Sequence, residues 1–248
     1  MRTIYILWLR QIKRYLRSKP QTIGSLAQPV LFLVAFGFGF GPIFKRAGGG
    51  NYIDFIAPGI IAQGILFTAV FSGIQMIWDR QFGFLKETLV APVSRFEIML
   101  GRTIGGATIA TFQGIIIFFL SLIIGFRPYN WALVPVSLFF MFLIAFVFTA
   151  LGTAIASMME DFQGFQLIIN FLIMPLFFLS GALFPLNNTP WFIELFSRID
   201  PLTYGVDGLR STLINVSRFG LPMDIFILTG VSILFLSIGS YLFSKIQV

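Results

Sequence analysis

Apolar residues fall along this chain in six long blocks separated by shorter segments that hold the charges. The blocks run from about Gly24 to Phe44, Phe55 to Trp78, Ile104 to Phe126, Trp131 to Met158, Phe165 to Leu186 and Met223 to Phe243. Each is near the ~20 residues an α-helix needs to cross ~30 Å of hydrocarbon, allowing for tilt. The pattern predicts an all-α integral membrane protein with six transmembrane helices.

Two stretches depart from that plan. From Ile4 to Arg17 the period is helical but the helix is two-sided. Ile4, Leu7, Trp8, Ile12, Tyr15 and Leu16 recur on one side, and Arg10, Lys13, Arg14 and Arg17 on the other. A basic amphipathic helix with a Trp suits the membrane surface, where cations meet anionic headgroups. Between Pro185 and Pro222, Trp191, Phe192, Leu195 and Phe196 form a short apolar face. Pro201 breaks it, and a second helical stretch from Leu202 to Leu213 carries Asp207 and Arg210. Two short helices at or dipping into the outer surface fit this segment; a seventh span would bury four charges at high cost.

Composition removes whole classes of chemistry. Hydrophobic residues make up 57% of the chain and charged residues 11%, against about 25% charged in soluble domains. Cysteine and histidine are both absent. That excludes disulfides, the usual zinc and haem ligands, and Ser-His or Cys-His nucleophile pairs. No catalytic residue and no metal site is expected. The net charge of +7 sits beside apolar blocks, so it reads as topology and not as a nucleic-acid surface. With the N-terminus inside, the cytoplasmic segments hold eleven Lys and Arg and the outer ones six; both termini are expected in the cytoplasm.

The ten carboxylates lie outside the blocks or at their ends, so no acid is placed at the midplane to bind a coupling ion. Gln63, Gln113, Asn170, Ser180 and aromatic side chains could line a pathway, but its energy must come from elsewhere. No Gly-Lys dipeptide occurs, so the chain has no P-loop of its own. Gly37 with Gly41, and Gly101 with Gly105, read as close-approach pairs between helices.

The segment from Asp79 to Arg102 alternates charge and apolar residues: D-R-Q-F-G-F-L-K-E-T-L-V-A-P-V-S-R, up to Arg95. Leu85, Leu89 and Val90 form one side of a short helix, with Lys86, Glu87 and Arg95 exposed and Pro92 as its stop. Such a helix can dock a partner protein or pack on its own chain.

This run resembles the loop between the second and third spans of ABC-2 type permeases, the membrane subunits of one class of ATP-binding-cassette exporters. A second match is F-F-L-S-G-A-L-F-P-L from Phe177 to Leu186, followed by N-N-T-P-W and then D-P-L-T-Y-G-V-D-G-L-R from Asp200 to Arg210. Both blocks and the six-span plan cover nearly the whole chain, and the likeness is strongest to the drug-resistance branch typified by daunorubicin exporters.

The resemblance implies the following. Residues 1–22 form a connecting helix, and residues 23–248 a six-helix transmembrane domain with a cytoplasmic coupling loop at 79–103 and outer helices within 187–222. Phe84, Leu85, Lys86, Glu87, Thr88, Leu89, Pro92 and Arg95 belong to the coupling helix that seats in a separate ATPase. Spans two and five line the pathway, which places Gln63, Phe67, Asn170 and Met174 along it. The chain binds no cofactor itself; ATP and Mg belong to the ATPase, present in two copies beside a second permease subunit. The setting is the cell's inner (plasma) membrane, and the task is efflux of a hydrophobic or amphipathic substrate: a drug or antibiotic, a lipid or a glycoconjugate. An energy-independent channel is the alternative.

Overall fold

The computed structural model describes residues 2–46, 51–84, 92–186 and 189–245, without the side chains of Lys19, Pro20, Gln21 and Lys45. Every regular element among the described residues is helical: α1 (Arg2–Arg17), α2 (Lys19–Arg46), α3 (Tyr52–Phe71), α4 (Ile74–Gln81), α5 (Arg95–Ile124), α6 (Val134–Met158, after a 3-10 turn at Trp131–Leu133), α7 (Phe162–Leu179), α8 (Trp191–Ile199), α9 (Pro201–Ile214) and α10 (Leu221–Ser244). Among the described residues, six helical segments are long and apolar enough to span a bilayer, α3 and α4 together counting as one. In hydrocarbon an unbonded backbone amide is expensive, and a helix satisfies all of them within one segment.

Local chemistry sets the ends. Asn51 caps α3 by accepting from the Ile53 amide (3.3 Å), and Ser94 caps α5 by accepting from the Glu97 amide (3.1 Å). That Ser94 cap starts the third span at Arg95, ahead of the Ile104 expected from hydropathy alone, because the first two turns are polar but still helical. The fifth span ends at Leu179 and not at Leu186: Gly181 turns the chain with φ 76°.

α3 is the central helix, and its burial explains its composition. Ile56, Ile60, Ile61, Leu66 and Val70 are fully enclosed on different sides of it by α2, α5, α6 and α9, so no polar face remains. α2, α7 and α10 instead turn apolar residues outward, among them Leu31, Phe38, Leu167, Phe171, Phe226 and Ile233. Those faces suit lipid.

The segment between the fifth and sixth spans divides into two unlike helices. α8 is amphipathic, with Trp191, Leu195, Phe196 and Ile199 exposed. α9 is sunk into the bundle against α3, α6 and α10, and nearly all its residues are buried. Gly208 permits this: a Cβ there would strike the Phe140 ring, and one at Gly205 would meet Ile144 at 2.5 Å. Asp200 starts α9 by accepting from the Leu202 amide (2.8 Å), with Pro201 in the first turn.

At the opposite end of the bundle, α1 crosses the start of α5. Gly101 and Gly105 make room; a Cβ on Gly101 would lie 3.1 Å from the Ile4 Cα, and Gly105 faces Gln11. Trp8 donates to Thr108 (3.1 Å). The buried stripe of α1 is Leu7, Gln11 and Tyr15. Leu16, grouped with the apolar side from its spacing, is exposed together with Tyr5 and Ile6. The other close-approach pair is half realised: Gly37 meets Ile53, and Gly41 has open space around it.

Candidate transport cavity and its ionic base

The helical rod of the second span is interrupted once, at Ser72–Gly73, between α3 and α4. Ser72 folds its hydroxyl back to donate to the Ala69 carbonyl (2.6 Å), an alternative to continuing the ladder. Gly73 lies against the backbone of Gly152 on α6, and Gly152 in turn against that of Val70. On the third side a Cβ at Gly106 would come within 2.6 Å of the Ser72 hydroxyl oxygen. Three spans therefore pack closely where the helical ladder of the second one is interrupted, and only glycine leaves room for that approach.

Beside this interruption lies a cavity of about 480 Å³, within the range that holds a drug-sized ligand. α3 contributes Gln63, Phe67 and Phe71, α2 contributes Ser25 and Gln28, α4 contributes Gln75 and Trp78, and Phe162 comes from the start of α7. Arg14 and Tyr15 of α1 close one end. The lining is aromatic and apolar with scattered carboxamides, and Arg14 is the one charge on it among the described residues. Gln63 is 1% exposed and its Oε1 has no hydrogen-bond partner among the described residues. A buried acceptor left open costs free energy unless a ligand or water meets it. The neighbouring amide is occupied: Tyr15 donates to Gln113 Oε1 (3.0 Å), and Gln113 Nε2 donates to Ser25 (2.9 Å). Burial pushes the Tyr15 phenol up from its ordinary range, so it stays a donor at neutral pH.

Beneath the cavity an ionic cluster gathers three elements. Asp79 on α4 accepts from buried Arg102 on α5 (2.7 Å) and from Arg10 on α1 (3.0 Å), with Arg14 at 3.8 Å. Arg80 pairs with Glu160 (2.8 Å) and Gln81 donates to the Glu160 carbonyl (3.2 Å). α4, which leads directly into residues 82–94, is thus tied to α1, α5 and the α6–α7 junction by charged groups.

The residues expected along the pathway separate. Gln63 and Phe67 line the cavity; Asn170 and Met174 lie exposed on α7 and do not line it. Of the coupling set, Leu85, Lys86, Glu87, Thr88 and Leu89 lie outside the described residues. Phe84 is exposed beneath the Arg10 guanidinium at 5.6 Å, and Pro92 is exposed. Arg95, read as an exposed loop residue, instead opens α5 half-buried, its guanidinium 5.9 Å from the Phe243 ring. Sequence reading placed Asp79 and Arg102 in a polar loop and missed their pairing, although an Arg inside the first turns of an apolar helix already calls for a counter-ion.

A second polar cluster holds the end of the bundle opposite α1. Arg210 of α9 is 9% exposed, stacks over Phe55 at 4.0 Å and donates to the carbonyls of Gly181 (2.8 Å) and Ala182 (3.2 Å). Desolvation lowers it to about 10, which leaves it charged at neutral pH. Asp207 accepts from the Arg218 and Phe219 amides (both 2.8 Å), folding residues 215–219 over α9.

A half-open cavity with aromatic walls, a glycine-lined interruption of the second span and a charged base therefore lie side by side. Residues 2–214 match the family of ABC-2 type transporters. The chain belongs to that family. It is 30% identical to the protein of Cyanophora paradoxa named as transport permease ycf38, over 93% of this chain and 84% of the relative. It is 26% identical to nodulation protein J of Sinorhizobium fredii (94% of this chain, 90% of the relative) and 27% identical to the inner membrane transport permease YadH of Escherichia coli K12 (85% and 82%). This family member is a multi-pass membrane component of a transporter, of a family whose permeases generally work with ATPase partners.

Proposed function

We propose that the chain is the permease subunit of an ATP-driven exporter, powered by two copies of a separate ATPase and paired with a second permease subunit. Membership of the ABC-2 family carries the reading, and the cavity beside the bend supports it. Its substrate is hydrophobic or amphipathic, since the lining has aromatic walls, the open Gln63 carboxamide oxygen and, among the described residues, a single cation. Antibiotics, lipids and glycoconjugates are all of that class. Both termini lie in the cytoplasm of a cell whose inner membrane holds the protein, and α1 lies at the inner surface.

The mechanism follows from the connections. ATP-driven closure of the partner pushes on the loop between α4 and α5. α4 transmits the push to α1, α5 and α6–α7 through Asp79 and Arg80. The second span flexes at Ser72–Gly73, where the cavity wall lies, and the bundle alternates between inward and outward access. Lys86 and Glu87 are the contacts to the ATPase. Replacing both with alanine is expected to leave basal ATPase activity in place while abolishing export and substrate stimulation. Full export by that variant would contradict the reading.

A further inference from the structure

α1 carries more positive charge than the described residues neutralise. Asp79 is the carboxylate that Arg10 and Arg14 approach, and its other oxygen is already held by Arg102, which is buried and meets no other carboxylate within salt-bridge distance among the described residues. Arg10 and Arg14 are left about 40% exposed, at 41% and 40%. With Lys13 and Arg17 they line an open depression around Ile6 and Leu9, and among the described residues no acid lines it. The spacing of 3, 1 and 3 residues between these cations puts all four on one helix face. Exposed apolar residues border the face: Tyr5, Ile6 and Leu16 on α1, continuing to Ile23 and Leu31 on α2. A basic patch running into an apolar surface matches one kind of molecule, an anionic head joined to a hydrocarbon tail.

We propose that this face of α1 is a binding site for an anionic phospholipid, whose phosphodiester takes Arg10 and Arg14 in competition with Asp79. Bidentate guanidinium contacts suit the two free phosphate oxygens, and Ile6 and Leu9 take the start of an acyl chain. Occupancy loosens α1 from α4, while Arg102 keeps Asp79 and the buried pair survives. Because α4 leads into the loop that meets the ATPase, the lipid composition of the inner leaflet sets how rigidly α1 follows that loop. The inference rests on the reading that α1 lies at the inner membrane surface. An acidic patch on the partner ATPase is the competing occupant, and free phosphate shares the headgroup chemistry.

The test uses the purified full chain without any ATPase, so that failure of the exporter reading leaves its outcome intact. Retention of phosphatidylglycerol and of phosphatidylcholine is titrated by native mass spectrometry in wild type, Arg10→Gln/Arg14→Gln, Lys13→Gln/Arg17→Gln, and Arg198→Gln as an outer-end control. Phosphatidylglycerol is expected to be retained in preference. Each double variant is expected to lose roughly twenty-five-fold in affinity, about fivefold per cation removed, and Arg198→Gln none. Among the described residues the Lys13 and Arg17 side chains make no hydrogen bond or ion pair within the fold, so the second double variant keeps the test valid if the first misfolds. Equal retention of the two lipids, unchanged retention in both double variants, or full displacement by equimolar inorganic phosphate would overturn the proposal. The chain has no cysteine, so spin labels at Tyr5→Cys and Phe82→Cys report the α1–α4 distance directly. Phosphatidylglycerol nanodiscs should broaden and lengthen that distance relative to phosphatidylcholine; identical distributions with lipid bound would refute the competition with Asp79.

Discussion

Replacing Asp79 with asparagine isolates the ionic base from the rest of the fold. The Asp79 and Arg102 side chains are 7% and 4% exposed and 2.7 Å apart. Asparagine has nearly the same volume and can still accept one hydrogen bond, so packing changes little and the loss is electrostatic. Removing one partner of a buried pair strands the other charge, which costs about 3–5 kcal/mol. The retained hydrogen bond, and the partial exposure of Arg10 and Arg14, place the expected cost near the bottom of that range, about 3 kcal/mol. Equilibrium unfolding in mixed micelles, followed by the four tryptophans, reads it. The double variant Asp79→Leu/Arg102→Met should recover most of the loss, because two apolar side chains of similar size leave nothing stranded. A double-mutant cycle should give a coupling of about 2 kcal/mol or more. Destabilisation by Asp79→Asn below about 1 kcal/mol, or strictly additive single and double losses, would refute a tight buried pair.

Two further outcomes follow from other parts of the molecule. Gly152→Leu forces a side chain into the Val70 backbone beside the interruption of the second span; it should cost about 1–3 kcal/mol and lower transport, whereas Gly230→Leu on α10, with open space around it, should do neither, as unfolding and export assays on the pair will show. Asp200 is raised from 3.8 to about 8 because burial disfavours its charge. Between those values the folded chain holds a proton that the unfolded chain has released, so this group's contribution to stability falls as pH rises through the window. Asp200→Asn keeps the cap on Leu202 and should flatten the decline of the unfolding midpoint between pH 5 and pH 8; equal slopes in the two proteins would show that Asp200 is ionised in the fold.

The six spans were legible because hydrocarbon leaves a long, nearly uncharged block few alternatives to a helix. Their ends were less legible, since hydropathy does not register caps: Ser94 starts α5 nine residues before its apolar run, and Gly181 ends the fifth span inside one. The outer segment was recognised as two short helices, but their unequal depth depends on Gly205 and Gly208 meeting Ile144 and Phe140, a match of shapes between distant parts of the chain. Gln63 and Phe67, expected along a pathway from the family likeness, line the cavity, whereas Asn170 and Met174 of the same set do not. Asp79 and Arg102 were not legible as partners, because their polar neighbours in sequence disguise a pairing that only the crossing of α1, α4 and α5 creates.

Whether a separate ATPase drives this chain is the central question. Affinity purification of the tagged protein from its native membrane into nanodiscs, with quantitative mass spectrometry and an ATPase assay on the same sample, answers it most directly. The account predicts one P-loop ATPase recovered in a one-to-one ratio with the permease, whose substrate-stimulated activity is lost when Lys86 and Glu87 are replaced. Recovery of the chain alone, with substrate flux through it in the absence of ATP, would contradict the account and make the protein a channel.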